Sequence, residues 1–228
     1  MRIGGKPLGM TLAMGLVGVT APALAFELFI DPYFGSTENT GSTATLTFEF
    51  SEHGTEDLVR VLIENTTPPK IGSKLTAVGL ELPTWLIQPP SLVAALEEVY
   101  FDTLTFNDSV SPGWLNAPGG YDLMITSEGS FLGGNPNGAP TAGARESVML
   151  SLGDTGMTPE QLDLRFHEFF AGLDDRAAIA RFQAVGPDGG GSDKVAGGVP
   201  EPASIILLAL GALALLRPRR FQPSLPRC

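Results

Sequence analysis

Between Ala44 and Phe50 apolar and polar residues alternate without a break, ATLTFEF, which is the period-two signature of a strand with one buried face. The next run repeats the theme, with Val59, Val61 and Ile63 on one side and Arg60 and Glu64 on the other. Leu75 to Leu82, Val99 to Phe106, Tyr121 to Thr126, Ser147 to Leu152, Leu164 to Phe170 and Ala177 to Val185 are further runs of strand length. The 28 glycines and 19 prolines of the chain punctuate these runs at short intervals and supply the turns. Two stretches depart from the pattern. Ser91 to Glu98 is rich in Ala, Leu and Glu and predicts a short helix or helical turn. Thr158-Pro159-Glu160-Gln161 carries a capping box with Pro at the first helical position, and predicts one helical turn before a strand at Leu164. The expectation is an all-β fold: a single antiparallel β-sandwich of about eight or nine strands over residues 26–185. The run GPDGGGSDKVAGG at 186–198, with six glycines, reads as a flexible linker.

Both ends of the chain break with this punctuation and are apolar. Arg2 and Lys6 precede a mostly apolar stretch from Leu8 to Val19, and Pro22 then leads into Ala23-Leu24-Ala25. That is the layout of a secretory signal peptide over residues 1–25, with cleavage expected between Ala25 and Phe26. At the other end Pro200-Glu201-Pro202 is followed by 14 uncharged residues, 203–216, and then by Arg217, Arg219 and Arg220. As a helix this run is about 21 Å long at roughly 1.5 Å per residue, shorter than the ~30 Å hydrocarbon core. Its all-round apolarity and the arginines beside it still favour a membrane helix over a buried one, with residues 221–228 as a short cytoplasmic tail. The order Pro-Glu-Pro, apolar run and arginine cluster over residues 199–220 closely resembles the PEP-CTERM sorting signal of Gram-negative bacteria. The resemblance implies export through the Sec translocon and signal peptidase, then recognition of the tail by an exosortase-type membrane enzyme. It also implies a destination at the cell surface or in the extracellular matrix, often with exopolysaccharide and biofilm.

Setting the two ends aside changes the charge. All 25 acidic residues lie between Glu27 and Glu201 and only eight basic ones lie in that span, so the body carries a formal −17 against −11 for the whole chain. Such a body is soluble and repels nucleic acid, so no nucleic-acid partner is expected. The only cysteine is Cys228, beyond the tail, so the body has no disulfide and no thiol chemistry.

Candidate chemistry is sparse. His53 sits in a turn-like Ser-Glu-His-Gly-Thr stretch, and His167 falls within the run assigned to a strand. They form no paired metal spacing, and no Gly-x-Ser-x-Gly elbow exists. Asp174-Asp175, Glu97-Glu98 and Asp102 are the carboxylates available for a glycan-hydrolase reading. Asp188 to Asp193 and Asn135 to Gly138 offer oxygen ligands for Ca2+, without the spacing of an EF-hand or a Gly/Asp repeat. Of the aromatics Trp85, Trp114, Tyr100 and Tyr121, Trp114 lies in the most loop-like setting and is the candidate for stacking on a glycan. Asn65 and Asn107 match a glycosylation pattern but read as turn residues. The expectation is a non-enzymatic surface or matrix protein with no catalytic residue, no cofactor and no metal site. The alternatives are a carbohydrate-binding or Ca2+-stabilised adhesive module, and an extracellular glycan hydrolase.

Overall fold

The computed structural model describes residues 25–93, 100–108, 120–127, 131, 135–173 and 177–200. In chain order the elements are β1 (Ala25–Ile30), β2 (Ala44–His53), β3 (Glu56–Glu64), β4 (Lys74–Leu80), β5 (Ser91–Leu92), β6 (Thr103–Asp108), β7 (Tyr121–Thr126), β8 (Arg145–Gly153), α1 (Pro159–Ala171), β9 (Ala178–Val185) and β10 (Gly191–Gly198). Every pairing is antiparallel, and the strands form one sheet in the order β5-β8-β3-β2-β1-β10-β9-β4-β7-β6. The all-β antiparallel expectation holds, and the two layers are halves of this one sheet. Phe48, Val59, Val61, Leu150 and Leu152 from the first half face Leu80 and Leu123 from the second. The edge strands β5 and β6 come together, so the folded-over sheet is nearly a closed barrel.

The interior follows from the alternation. Phe26, Leu28 and Ile30 on β1, Leu46, Phe48 and Phe50 on β2, and Val59, Val61 and Ile63 on β3 are all buried, with exposed or half-buried residues between them. Strands β4, β7 and β9 are buried on both faces. Leu75, Val78, Leu123, Ile125 and Phe182 enter the main core, while Ala77, Met124 and Ile179 join Tyr121, Phe131 and Ala196 in a second cluster. Runs buried on both sides read as continuous apolar segments rather than as alternation, which explains their weaker signal in sequence.

One end of the fold is closed by α1, and here the sequence reading needs correction. Leu164 to Phe170 is helix, not strand. The capping box at Thr158 forms as the sequence predicts, with the Thr158 hydroxyl accepting from the Gln161 N–H and the Gln161 side chain accepting from the Thr158 N–H. Once started, the helix persists for 13 residues because Leu162, Phe166 and Phe170 recur every four positions and are all buried. Leu164, off this stripe, is exposed. Phe170 packs on Phe26 and Phe48 with ring centres 5.9 and 5.5 Å away, and Phe166 packs on Phe50 at 5.0 Å. Ser91 and Leu92 form the short edge strand β5 rather than the start of a helix; the rest of that predicted helix lies outside the described residues.

A second correction concerns 186–198. Only Pro187 to Gly190 behave as a turn; Gly191–Gly198 is strand β10, paired with β9 along its length and placed between β9 and β1 in the sheet. Two of the glycines that suggested flexibility are demanded by close packing. A Cβ on Gly197 would lie 2.7 Å from Ile30 Cγ1 and 2.8 Å from the Phe29 carbonyl oxygen, and one on Gly191 would lie 2.8 Å from the Val185 carbonyl oxygen.

Because Phe170 joins the helix to both β1 and β2, Phe170→Ala is expected to destabilise the body by about 3–5 kcal/mol, the usual cost of emptying a buried aromatic site. Leu164→Ala, on the exposed face of the same helix, is expected to change stability by less than about 0.5 kcal/mol. Urea unfolding of the two variants checks both values.

Candidate sorting site and its anchorage

The seam between the two halves is the thinnest pairing in the centre of the sheet. Strand β1 meets β10 over only Phe29↔Gly198 and Ile30↔Gly197, followed by a bond from the Asp31 N–H to the Ala196 carbonyl at 3.1 Å. The chain then loops out at Pro32 to Gly35 and returns to β10, with Ser36 opposite Val195 and the Thr37 N–H donating to the Lys194 carbonyl at 3.1 Å. Asp193 holds this returning segment. Its carboxylate is buried, and seven hydrogen bonds converge on it. The Ser36 hydroxyl donates to both oxygens at 2.8 Å. Oδ1 also accepts from the Thr37 N–H at 3.1 Å, the Thr37 hydroxyl at 2.9 Å and the Glu38 N–H at 3.1 Å. Oδ2 accepts from the Thr40 N–H at 3.0 Å and the Thr40 hydroxyl at 2.7 Å. Asn39 completes the turn with φ of 48°, a left-handed conformation that Asn tolerates, and donates its N–H to the Ser36 oxygen.

Burial alone would push the Asp193 carboxyl upward. The Thr40 N–H and hydroxyl, the Ser36 hydroxyl and the Glu38 N–H outweigh it and hold the group below the usual carboxylate range. Every lone pair faces a donor, so the group is a structural acceptor rather than a general base or a cation ligand. This bears on the Asp188 to Asp193 stretch considered for Ca2+. Asp188 is exposed in the β9–β10 turn while Asp193 is turned into the Ser36–Thr40 segment. Among the described residues no three His, Cys, Asp or Glu side chains are grouped to hold a metal. In the other such loop, the Asn135 side chain accepts from the Asn137 N–H and its carbonyl accepts from the Tyr100 hydroxyl.

The remaining candidates are dispersed. His53 ends β2 at an exposed hairpin, as its sequence setting predicts, whereas His167 is exposed on α1 rather than on a strand, edge-on to Phe26. One turn before it, Asp163 is shifted upward by burial, with the His167 charge opposing that shift, and its Oδ1 has no hydrogen-bond partner. Trp85 caps the core, edge-on to Phe166 at 5.2 Å with the Arg165 guanidinium 5.8 Å above its ring. Beside it lies a cleft of about 260 Å³ lined by Trp85, Ile87, Gln88, Leu152, Asp154, Thr155 and Met157. Tyr121 is fully buried, with its hydroxyl on the Ala178 carbonyl, and so cannot share a surface platform with Trp85. Asn65 is buried and bonds Ser73, Thr67 and Pro140, which removes it as a glycan attachment point. Asp102 is exposed beside β6 and accepts from the Thr103 hydroxyl. Trp114, Glu97, Glu98, Asp174 and Asp175 lie outside the described residues, as do Ala23, Glu201, Pro202, Arg217, Arg219 and Arg220. Of the sequence-predicted site residues, Ala25 and Phe26 open β1, with Phe26 in the core, and Pro200 is exposed two residues past β10.

The described fold thus defines an all-β body whose last strand runs straight into an apolar C-terminal tail. Residues 198–220 match the family model of the PEP-CTERM protein-sorting motif, so the chain carries a PEP-CTERM sorting motif. Comparison with curated proteins and with solved structures finds no match. The motif supports export and sorting to the cell surface, and implies processing by an exosortase-type membrane enzyme. Its first residue, Gly198, is the last residue of β10. Among the described residues no helix is long and apolar enough to cross a membrane; the run at 203–216 lies outside them.

Sequence reasoning missed Asp193 as an anchor. The hydroxyl-rich Ser36 to Thr43 run was the available signal, but its partner lies more than 150 residues away. A carboxyl held low in the folded state contributes stability that is present above its unfolded pKa, ~3.9, and lost as pH falls through the lower folded value. Asp193→Asn is therefore expected to cost on the order of 3 kcal/mol at pH 7, since it removes the charge and sets an amide N–H against donors. It should also flatten the acid limb of stability below about pH 4. Denaturant midpoints measured from pH 2 to 7 check both effects.

Proposed function

We infer that this protein is an exported, non-enzymatic component of the cell surface or extracellular matrix, delivered by its tail and associated there with exopolysaccharide. The carrying observation is the sorting motif joined directly to a compact acidic body. The polar side chains of that body support the same reading. The Asp193 group, the Asn65 group with Ser73 and Thr67, and Asp57 with Thr155 are spent on internal hydrogen bonds that fasten loops to strands. Two histidines on separate elements, β2 and α1, offer no shared acid–base centre. In this reading residues 203–216 serve as a membrane anchor until the enzyme acts, and no cofactor is required.

Mass spectrometry of the mature surface-exposed protein tests the delivery half of this reading. The expected result is an N-terminus at Phe26 and a C-terminus that lacks Arg217 to Cys228. Recovery of most of the surface protein with Arg217 to Cys228 intact overturns processing. For the second half, the protein is expected to cofractionate with exopolysaccharide and to release no sugar from a panel of glycans. Turnover that disappears on carboxylate substitution would make it a hydrolase instead.

A further inference from the structure

The register at the seam fixes what the residues of the sorting motif face. Phe29 pairs with Gly198, and the Asp31 N–H donates to the Ala196 carbonyl. Bonds across an antiparallel ladder recur every second residue, so residues 25, 27, 29 and 31 of the first chain segment turn their peptide groups toward β10. Phe26, Leu28 and Ile30 turn theirs toward β2, with which β1 pairs along its whole length. Strand β1 therefore runs four residues past the end of the seam, from Leu28 back to Ala25, and no described residue pairs with it there. If the ladder continued in register, Glu27 would exchange bonds with residue 200 and Ala25 with residue 202. Both positions are proline, and proline has no N–H to give. The prolines stand at the two places where a donor toward β1 is needed, whereas Glu201, between them, would face away. In keeping with this, β10 stops at Gly198 and Pro200 is exposed.

We propose that Pro200 and Pro202, which lack the amide donors that β1 would need opposite Glu27 and Ala25, stop the sheet at the β1–β10 seam and so keep the sorting motif from being taken up by β1 and leave it available to the membrane enzyme. Gly198 and Ala203 are five residues apart, at most about 18 Å of extended chain, so no other spacer separates the body from the apolar run. Without the prolines the same residues could add to the β1 edge as a further strand and be withdrawn from the membrane enzyme. What the strap serves rests on the sorting reading; that the prolines keep it unpaired does not.

The two are separated by measuring amide exchange and processing on the same full-length variants. In the purified wild-type chain in detergent the Glu27 amide should exchange freely while the Leu28 amide, which faces β2, is protected. In Pro200→Val/Pro202→Val the Glu27 amide should slow by at least ~10-fold, the protection of one added ladder bond, and tail processing in cells should fall. Adding Glu27→Pro to that double variant removes the donor facing the seam and leaves the β2 ladder intact, so processing should recover. Unchanged Glu27 exchange in the double variant, or protection already present in wild type, overturns the proposal. Slowed exchange with processing that Glu27→Pro fails to restore overturns the presentation role and makes the prolines direct recognition elements. A wild-type tail that is never processed overturns the sorting reading alone, because the exchange result stands independently of it.

Discussion

A single buried carboxylate holds the two halves of this sheet in register. The backbone ladder between β1 and β10 covers two residue pairs, far less than any neighbouring pairing in the centre of the sheet. Asp193 extends the contact through donors from Ser36, Thr37, Glu38 and Thr40, which replace the strand pairing that the looped-out segment Pro32 to Gly35 interrupts. Taking a carboxylate out of water costs several kcal/mol unless its lone pairs are matched, and here hydroxyls and backbone amides match them without a buried cation. The arrangement suits a body with 25 acidic and only eight basic residues in its span, because it stabilises a negative charge without drawing on scarce positive ones. Among the described residues the single ion pair, Arg60 with Glu49, lies on the surface at 3.3 Å and contributes little.

Much of the fold was legible where the sheet has one buried face. Strands β2 and β3 were read from alternation, and the helix cap at Thr158 was read from its capping box. The misreadings share a cause: local patterns that two structures satisfy equally. In Leu164 to Phe170 the apolar residues fit both a period of two and a spacing of four, and the cap at Thr158 decides for the helix. In Gly191 to Gly198 the composition resembles a linker, yet Gly191 and Gly197 serve close approaches that only the tertiary structure reveals. Strand β1 is masked in the sequence because it begins at the expected cleavage point, where Ala25 and Phe26 carry the processing signal as well.

The site was legible in a different sense. Motif residues such as Pro200, Glu201 and Pro202 are read by order and can be found without any fold. Asp193 is functional through its surroundings and was invisible, since Ser36 to Thr40 supply its partners from the opposite end of the chain. Trp85 shows the converse. It stands in the sequence among the aromatics weighed for glycan stacking, and the structure gives its ring to Phe166 and Arg165.

The position of β10 governs the order of events during export. The strand is last in the body but central in the sheet, and β1, first in the body, depends on it for its second neighbour. Ladders such as β2–β3 can close as soon as their residues emerge, but the two halves cannot be joined until residue 198 is across the membrane. The final contacts bridge about 170 residues of chain, the kind of long loop closure that makes folding slow. Completion of the sheet thus waits for the residues at which the sorting motif begins. A body truncated before β10 would leave the flank of β1 exposed to any strand in reach.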